Sequence, residues 1–525
     1  MFNRIRGVRQ IAAVASISML AGCGLMSSDN AGDSDPISVG TTSGPSALDP
    51  AATWDSSWEL FRNIYQTLLA YPVGEAEPKP DAAESCSFSD GKRTYTCTLR
   101  SDMTFSNGDV LDAKAVKYSI DRIRKINIST GPAGLLGSLD KVETKGDSVV
   151  IFHLNKPDAT FPFVLATPAM SIVDPADYPA DAIRKGDKIT GSGPYELQNY
   201  VAGEKAELVK NGSYKGFAER KNDAVTIRYY HDSTTMVNAL KSKQIDATVR
   251  GLSSDDIVSI QDNQSHSDLN LVEEAGTDCS YLVFNPKDPE SRKLPVRKAI
   301  AQLVDRSAIA HKVYKDTVDP LYSMIPQGLV GHTAGYFDEY GNPSVAKARA
   351  FLTDAGITSP VSLTMWYASD RYGSQTKPMF EEIKRELESS GLFKITLKSR
   401  PWTQFVAGYQ KGQYPAFGRG WSADFPDPDD FVSPFIGAQN AVGTPYAVPE
   451  ITDKLLPQSR EVSDRGEVME QFKQATQILV KDARLVPLWQ GKLYVAASDE
   501  ISGTETAFDA STIMMVWQLT RKTSW

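Results

Sequence analysis

A chain of 525 residues is longer than one hydrophobic core sustains, so two or three domains are expected. The composition, 41% hydrophobic and 23% charged, is that of a globular protein, and a formal charge of −9 excludes the basic footprint of a nucleic-acid binder.

Residues 1–22 read as a processing segment. Arg4, Arg6 and Arg9 form a positive start, and the apolar run over 11–20 is too short to span a bilayer as a mature helix. The run ends in Leu20-Ala21-Gly22-Cys23, which resembles a bacterial lipobox, with cleavage before Cys23 and lipid on its sulfur. Residues 24–35, rich in Gly, Ser, Asp and Asn, make a tether with a reach of roughly 20 Å. No other stretch is long and apolar enough to cross a membrane, so the mature protein is expected outside the cytoplasm, held by its lipid.

A short strand is expected over 37–40 and a helix over 55–70, whose Trp58, Phe61, Ile64, Tyr65 and Leu68 share a face, with Ser56 and Glu59 as a capping box. Cys86 and Cys97 flank Ser89-Asp90-Gly91-Lys92-Arg93, a hairpin signal. A turn at Gly91-Lys92 sets the two cysteines opposite each other, within disulfide reach, and an oxidising compartment permits the bond. Cys279 is left over as a small buried residue. The block 86–190 mixes hairpins with one helix capped by Asp112 and reads as a small separate lobe.

A strand-rich set follows over 191–285, with a helix at 235–243, a return strand at 244–247 and a further strand at 281–285. A long helix is expected over 296–314. Residues 343–420 alternate clearly. Strands at 361–367, 393–398 and 414–420 are separated by helices at 379–390 and 403–411, which implies parallel strands joined by right-handed crossovers. The loops after these strands then emerge on one edge, where open α/β sheets bind ligands. The loop after the first carries Arg371. The loop after the third carries Gly420-Trp421-Ser422-Ala423-Asp424-Phe425-Pro426-Asp427-Pro428-Asp429-Asp430-Phe431. Asp427 before Pro428 fits a helix start. The acid run does not fit a calcium loop, because no Gly stands sixth and no Glu twelfth. Asp424 is left as the acid aimed at a crevice. Trp421 is a ligand wall or a core residue, Arg371 an opposite pole or a surface charge, and Trp402 a second wall candidate.

Several stretches resemble the large extracytoplasmic solute-binding proteins of peptide ABC transporters. They are Thr190-Gly191-Ser192-Gly193-Pro194-Tyr195; Val296-Arg297-Lys298-Ala299 with Val304-Asp305-Arg306; residues 420–431; Asp49-Pro50; and Phe105-Ser106-Asn107-Gly108. The resemblance runs from about residue 37 to the C-terminus. It implies an α/β, two-lobed periplasmic-binding-protein-like fold with an extra small domain inserted in the first lobe. Residues 1–22 would be the signal peptide and 23–35 the tether. Residues 36–85 and 191–285 would form the first lobe, 86–190 the insert, 286–495 the second lobe and 496–525 a return to the first.

In peptide-binding members the aspartate after Gly-Trp holds the ligand's ammonium, a role that falls on Asp424. An arginine near the first loop holds the carboxylate, for which Arg371 is the candidate. The stretch Asp278-Cys279-Ser280 is expected along the ligand backbone. The implied ligand is a di- or oligopeptide and the implied partner an ABC permease, with membrane attachment through Cys23, no nucleic acid, no cofactor and a monomer. The same fold could instead take an oligosaccharide, a siderophore-like chelate or a nickel complex. Catalysis has no constellation to stand on. There is no Gly-x-Ser-x-Gly, His-Glu-x-x-His or Cys-x-x-Cys, and the five histidines show no metal-ligand spacing.

Overall fold

The computed structural model describes residues 35–522 apart from Gln439. The signal peptide, Cys23 and nearly all of the tether lie outside the described residues. Among the described residues, no helix is long and apolar enough to cross a membrane.

Among the described residues, eleven strands form one mixed sheet. Eight elements position the site: β1 (Ile37–Thr41), β2 (Leu269–Phe284), β3 (Val361–Ala368), α1 (Thr376–Ser389), β4 (Phe393–Arg400), α2 (Trp402–Gln410), β5 (Ala416–Trp421) and β6 (Leu485–Ser498). The strand order across the sheet is β4-β3-β5-β2-β6, then Ala247–Thr248, β1, Ala224–Tyr229, Lys205–Lys210 and Tyr195–Val201, and the eleventh strand, Val318–Pro320, pairs with β6 off this path. β3 pairs in parallel with both β4 and β5, as the strand–helix alternation predicts. β1 pairs in parallel with Ala224–Tyr229 and Ala247–Thr248.

The long antiparallel pair β2 and β6 runs through the middle and belongs to both halves of the sheet. Residues 269–275 pair with 492–498, and residues 279–283 with 485–490, with the register broken between Ala275 and Cys279. Gly276 sits in that break. A Cβ there would stand 2.6 Å from the Gly491 carbonyl oxygen, so only glycine lets the two backbones approach this closely.

A separate antiparallel sheet, Ala83–Ser89, Thr94–Leu99, Val149–Leu154 and Leu139–Lys145, carries the helix Ala113–Ile126. Asp112 caps that helix, accepting from the amides of Lys114 and Ala115 at 2.9 Å. Cys86 and Cys97 are cross-strand partners joined by a disulfide, with Cα atoms 4.1 Å apart. The apolar side of this sheet (Tyr95, Cys97, Val150, Phe152) is continuous with the core that holds Val39, Phe61 and Trp517.

Two helices depart from expectation. The one expected over 55–70 is only Trp58–Ile64. The segment 191–194 crosses its end: Gly193 N donates to the Ile64 carbonyl at 3.1 Å, and a Cβ on Gly193 would lie 2.5 Å from the Ile64 carbonyl carbon. The chain then turns extended at Tyr65, and Leu69–Ala70 pairs with Lys79–Pro80. The capping box does not form. Ser57 takes the cap position without a side-chain bond to the helix amides, and Glu59 instead pairs with Arg250 and accepts from Met514 N at 2.8 Å.

The helix expected over 296–314 is broken into Leu294–Leu303, a turn at Arg306–Ala308 and a π-helical turn at Ile309–Val313. Val304 is extended and Asp305 caps the new turn through Ala308 N at 2.9 Å. The break turns Arg306 inward, where Nε donates to the Pro487 carbonyl of β6 at 2.7 Å.

Candidate ligand-binding site

Parallel pairing of β3 with β4 and β5 brings three carboxyl-terminal ends to one edge. Arg371 follows β3, Trp402 follows β4, and Trp421 ends β5 with Asp424 three residues on. The arrangement expected from strand order is present.

Asp424 is 6% exposed. Its Oδ1 accepts from Nε1 of Trp54, in the β1 half of the molecule, at 2.5 Å, and its amide donates to Asp430 Oδ2 at 2.8 Å. Burial pushes its carboxyl up to about 7, against the pull of the Trp54 and Asp430 hydrogen bonds and of Arg419. Asp430 is pushed well above the usual carboxylate range, by burial first and then by the adjacent Asp424 charge. Two carboxyls this close and this dry do not both ionise readily without a cation.

The remaining acids of the run are structural. Asp427 caps the 3-10 turn Pro428–Phe431, accepting from Asp429 N at 2.9 Å, and receives Arg465 Nε at 2.6 Å and Nη2 at 3.0 Å. Asp429 receives Arg460 Nε at 2.8 Å and Nη2 at 2.7 Å. Two forked guanidinium–carboxylate pairs therefore fix the loop that presents Asp424.

Arg371 is exposed and lies over the Trp402 ring, 5.4 Å from its centroid. Trp402 is half-buried, and its amide donates to Asp370 Oδ1 at 2.7 Å. Trp421 is half-buried, edge-on to Phe435 at 5.0 Å, so one side of the ring packs on core.

In β2, Cys279 pairs with Trp421 on one side and Gln490 on the other, and Ser280 with Gly420 and Trp489. Their main chains are thus engaged within the sheet. Asp278 lies in the register break, half-buried, with Oδ2 3.9 Å from Arg250 Nη1. The Cys279 thiol is 1% exposed, and burial holds it well above its ordinary pKa.

Sequence reasoning passed over two residues. Trp54 supplies the contact to Asp424 from 370 positions away, which no local pattern signals. Arg419 lies inside β5. Its guanidinium sits 5.3 Å from Trp402, 5.9 Å from Tyr409 and 5.7 Å from Trp421, measured to ring centroids, and Nη1 donates to the Tyr372 hydroxyl at 2.8 Å. An arginine in a strand otherwise made of apolar and glycine residues was the available signal.

Further contacts bridge the two halves. Ala159 N donates to the Arg460 carbonyl at 2.8 Å, Phe163 and Phe425 lie 6.1 Å apart, and Ser254 Oγ meets Thr317 Oγ1 at 2.8 Å. Among the described residues, no group of three or more His, Cys, Asp or Glu is placed to hold a metal ion.

Comparison with known proteins decides the family. The family described as bacterial extracellular solute-binding proteins, family 5 (middle), matches residues 77–443. The chain belongs to this family. This solute-binding protein is 27% identical over 489 residues to the probable D,D-dipeptide-binding periplasmic protein DdpA of Escherichia coli K12, covering 89% of this chain and 91% of the relative. It is 25% identical to di/tripeptide-binding protein 1 of Pseudomonas aeruginosa, covering 86% and 88%.

Among solved structures, the periplasmic binding protein DppA of Helicobacter pylori in complex with the peptide STSA superposes with a TM-score of 0.79 at 23% identity, covering 93% of this chain and 98% of that one. A dipeptide-binding protein of Pseudoalteromonas sp. SM9913 in complex with Met-Leu also gives 0.79, at 20% identity, covering 93% and 100%. The two halves on either side of the β2–β6 crossing are therefore the two lobes of a periplasmic-binding-protein fold. The family binds solutes outside the cytoplasm and is not enzymatic.

Proposed function

We propose that this solute-binding protein captures di- or oligopeptides between its lobes and delivers them to the permease of an ABC importer. The observation that carries the reading is Asp424. It is a buried carboxylate with no ion-pair partner within the described residues, seated where the lobes meet and presented by a loop fixed by Arg460 and Arg465. A peptide ammonium supplies the missing cation. The peptide- and dipeptide-binding relatives support the same ligand class.

Asp424 would hold the ligand's amino end and Arg371 its carboxylate, with Trp421 and Trp402 as walls and the main chain near Asp278-Cys279-Ser280 alongside. Two such poles read length, because a dipeptide's ends lie roughly 7 Å apart at about 3.5 Å per residue. The ligand contacts both lobes and so favours the closed state.

Lipid on Cys23 would tether the mature chain as a monomer at the outer face of the cell membrane, after removal of residues 1–22. The separate four-stranded sheet supports reading 86–190 as a domain inserted between 36–85 and 191–285. The second lobe would span 286–495, with 496–525 returning to the first.

The test is titration calorimetry with di- to pentapeptides on wild type and Asp424→Asn. Heat with free-amine peptides that Asp424→Asn reduces at least tenfold in affinity, with N-acetylated peptides little changed, is expected. No heat with any peptide alongside clear heat with a sugar or a metal chelate would refute it.

A further inference from the structure

Phe425 comes one residue after Asp424, in the loop that follows β5. Its neighbours Ala423 and Phe431 pack with Phe417 and Phe435 in the core of their own half. Phe425 itself is 5% exposed and is buried in the other core, the one that holds Val39, Phe61 and Trp517. Among the described residues, no other apolar side chain from 276–491 enters that core. Its ring lies 6.1 Å from Phe163, which lies 6.5 Å from Tyr71, centroid to centroid.

The surface that receives the ring is carried by the separate four-stranded sheet. Where the chain leaves the strand Val149–Leu154 it stays tied to the hairpin turn between Cys86 and Cys97. Leu154 N donates to the Arg93 carbonyl at 2.7 Å, and Asp158 N to the Lys92 carbonyl at 3.3 Å. Asp158 Oδ1 then accepts from Thr160 N at 3.0 Å and from Thr160 Oγ1 at 2.6 Å, which stiffens the entry to the helix Phe161–Ala166. Between them, Ala159 N donates to the Arg460 carbonyl of the opposite half at 2.8 Å. Arg460 is also the arginine that forks onto Asp429. The Asp429 charge first, with Asp158 and Asp427 behind it, holds its guanidinium more firmly protonated than usual. Asp158, Ala159, Thr160 and Phe163 are all buried.

These contacts stand in the way of ligand entry. Asp424 is buried and bonded to Trp54 of the other half, so a peptide reaches it only when the halves part at this loop. Parting there draws the Phe425 ring out of an apolar core into water and breaks the Ala159–Arg460 hydrogen bond. Both are regained only on closing.

We propose that the segment 158–163 beside the small sheet is a closing surface of the cleft, with Phe425 as the plug it receives. The inference rests on the peptide reading and gives the small sheet a role in it. The half that carries Asp424 docks on the small sheet as well as on the opposite lobe. None of the docking groups reads the ligand's ends, so the docking favours the closed state by the same factor for every peptide.

The experiment places a thiol at the plug, as F425C, with wild type as the background for Cys23 and for buried Cys279. Maleimide labelling is expected to be fast in the free protein and slower by about tenfold or more with saturating Ala-Ala. Labelling that is equally slow in both states shows a ring position packed permanently, and labelling equally fast in both shows one that never docks; either overturns the inference. Amide hydrogen exchange on wild type reads the same event without a substitution, and it decides if F425C does not fold. Residues 158–163 are expected to gain about tenfold or more protection with Ala-Ala, and unchanged exchange there overturns the inference. Calorimetry on the same samples separates the two readings. Binding of Ala-Ala without gating at Phe425 leaves the peptide reading standing, whereas failure of wild type to bind Ala-Ala or trialanine removes the peptide reading and this inference with it.

Discussion

Trp54 Nε1 donates to Asp424 Oδ1 at 2.5 Å, joining the rim of one lobe to the interior of the other. The donor is 38% exposed and the acceptor 6%. An ammonium entering the cleft has to displace or share that indole. Trp54→Phe keeps the ring and removes the donor, so it is expected to leave Asp424 freer for a cation. Affinity for free-amine dipeptides should rise by about threefold, since one hydrogen bond to a charged group contributes about 1.5 kcal/mol at least and part of it is retained by water. Calorimetry of Trp54→Phe beside wild type checks it; an unchanged or lower affinity counts against the competition.

Asp424 also sets a pH window. Only its anion attracts an ammonium, and burial raises its carboxyl to about 7 in the free protein. Capture of a free-amine dipeptide therefore weakens as pH falls through 7, by up to roughly tenfold per unit below it. N-acetylated peptides should show a flat profile. Calorimetry between about pH 5.5 and 8, in buffers of differing ionisation heat, reads both the affinity and the proton released on binding.

The loop behind Asp424 depends on buried ion pairs. Arg465→Met leaves Asp427, 1% exposed, without its forked partner, and removing one member of a buried pair costs about 3–5 kcal/mol. Denaturant unfolding should show that loss, and peptide affinity should fall with it because the loop loosens. The double change Arg465→Met with Asp427→Leu should recover most of the stability and little of the affinity.

Glu386 provides a test far from the cleft. Burial raises its carboxyl from 4.5 to about 8, while Asp305 N donates to it at 3.0 Å. The folded state holds this proton more tightly than the unfolded chain. The stability it contributes is complete below about pH 4.5 and is lost as pH rises through about 8. Glu386→Gln should flatten that loss, exceeding wild type by about 3 kcal/mol near pH 9, where a buried charge has to be carried, and converging with it near pH 5. Chemical denaturation at the two pH values checks it.

What the sequence made legible were features with local causes. Strand–helix alternation over 361–421 put Arg371 and Asp424 on one edge, and turn chemistry at Gly91-Lys92 aligned Cys86 with Cys97. Asp427 before Pro428 correctly read as a cap. What escaped had distant causes. The helix after Ser57 ends early because Gly193, 129 residues beyond Ile64, takes the Ile64 carbonyl. The helix after Leu294 stops where Val304 turns extended, and the Arg306 that follows finds its acceptor at Pro487 on distant β6. Trp54 and Arg419 were missed for the same reason, since their partners come from other elements.

Gly276 tests the crossing itself. Gly276→Ala sets a methyl 2.6 Å from the Gly491 carbonyl oxygen and pushes β2 and β6 apart. Peptide affinity is expected to fall at least tenfold with a larger radius of gyration in small-angle scattering, whereas Ser280→Ala should leave the radius unchanged.

The two lobes share β2 and β6 as unbroken backbone, with pairing on both sides of Gly276. The pair works as a torsion spring: opening the cleft has to wind or unwind two hydrogen-bonded strands together. On the proposed closure, the gap between the lobes answers to strand twist at the Gly276 break, and a ligand bridging them supplies the difference in twist.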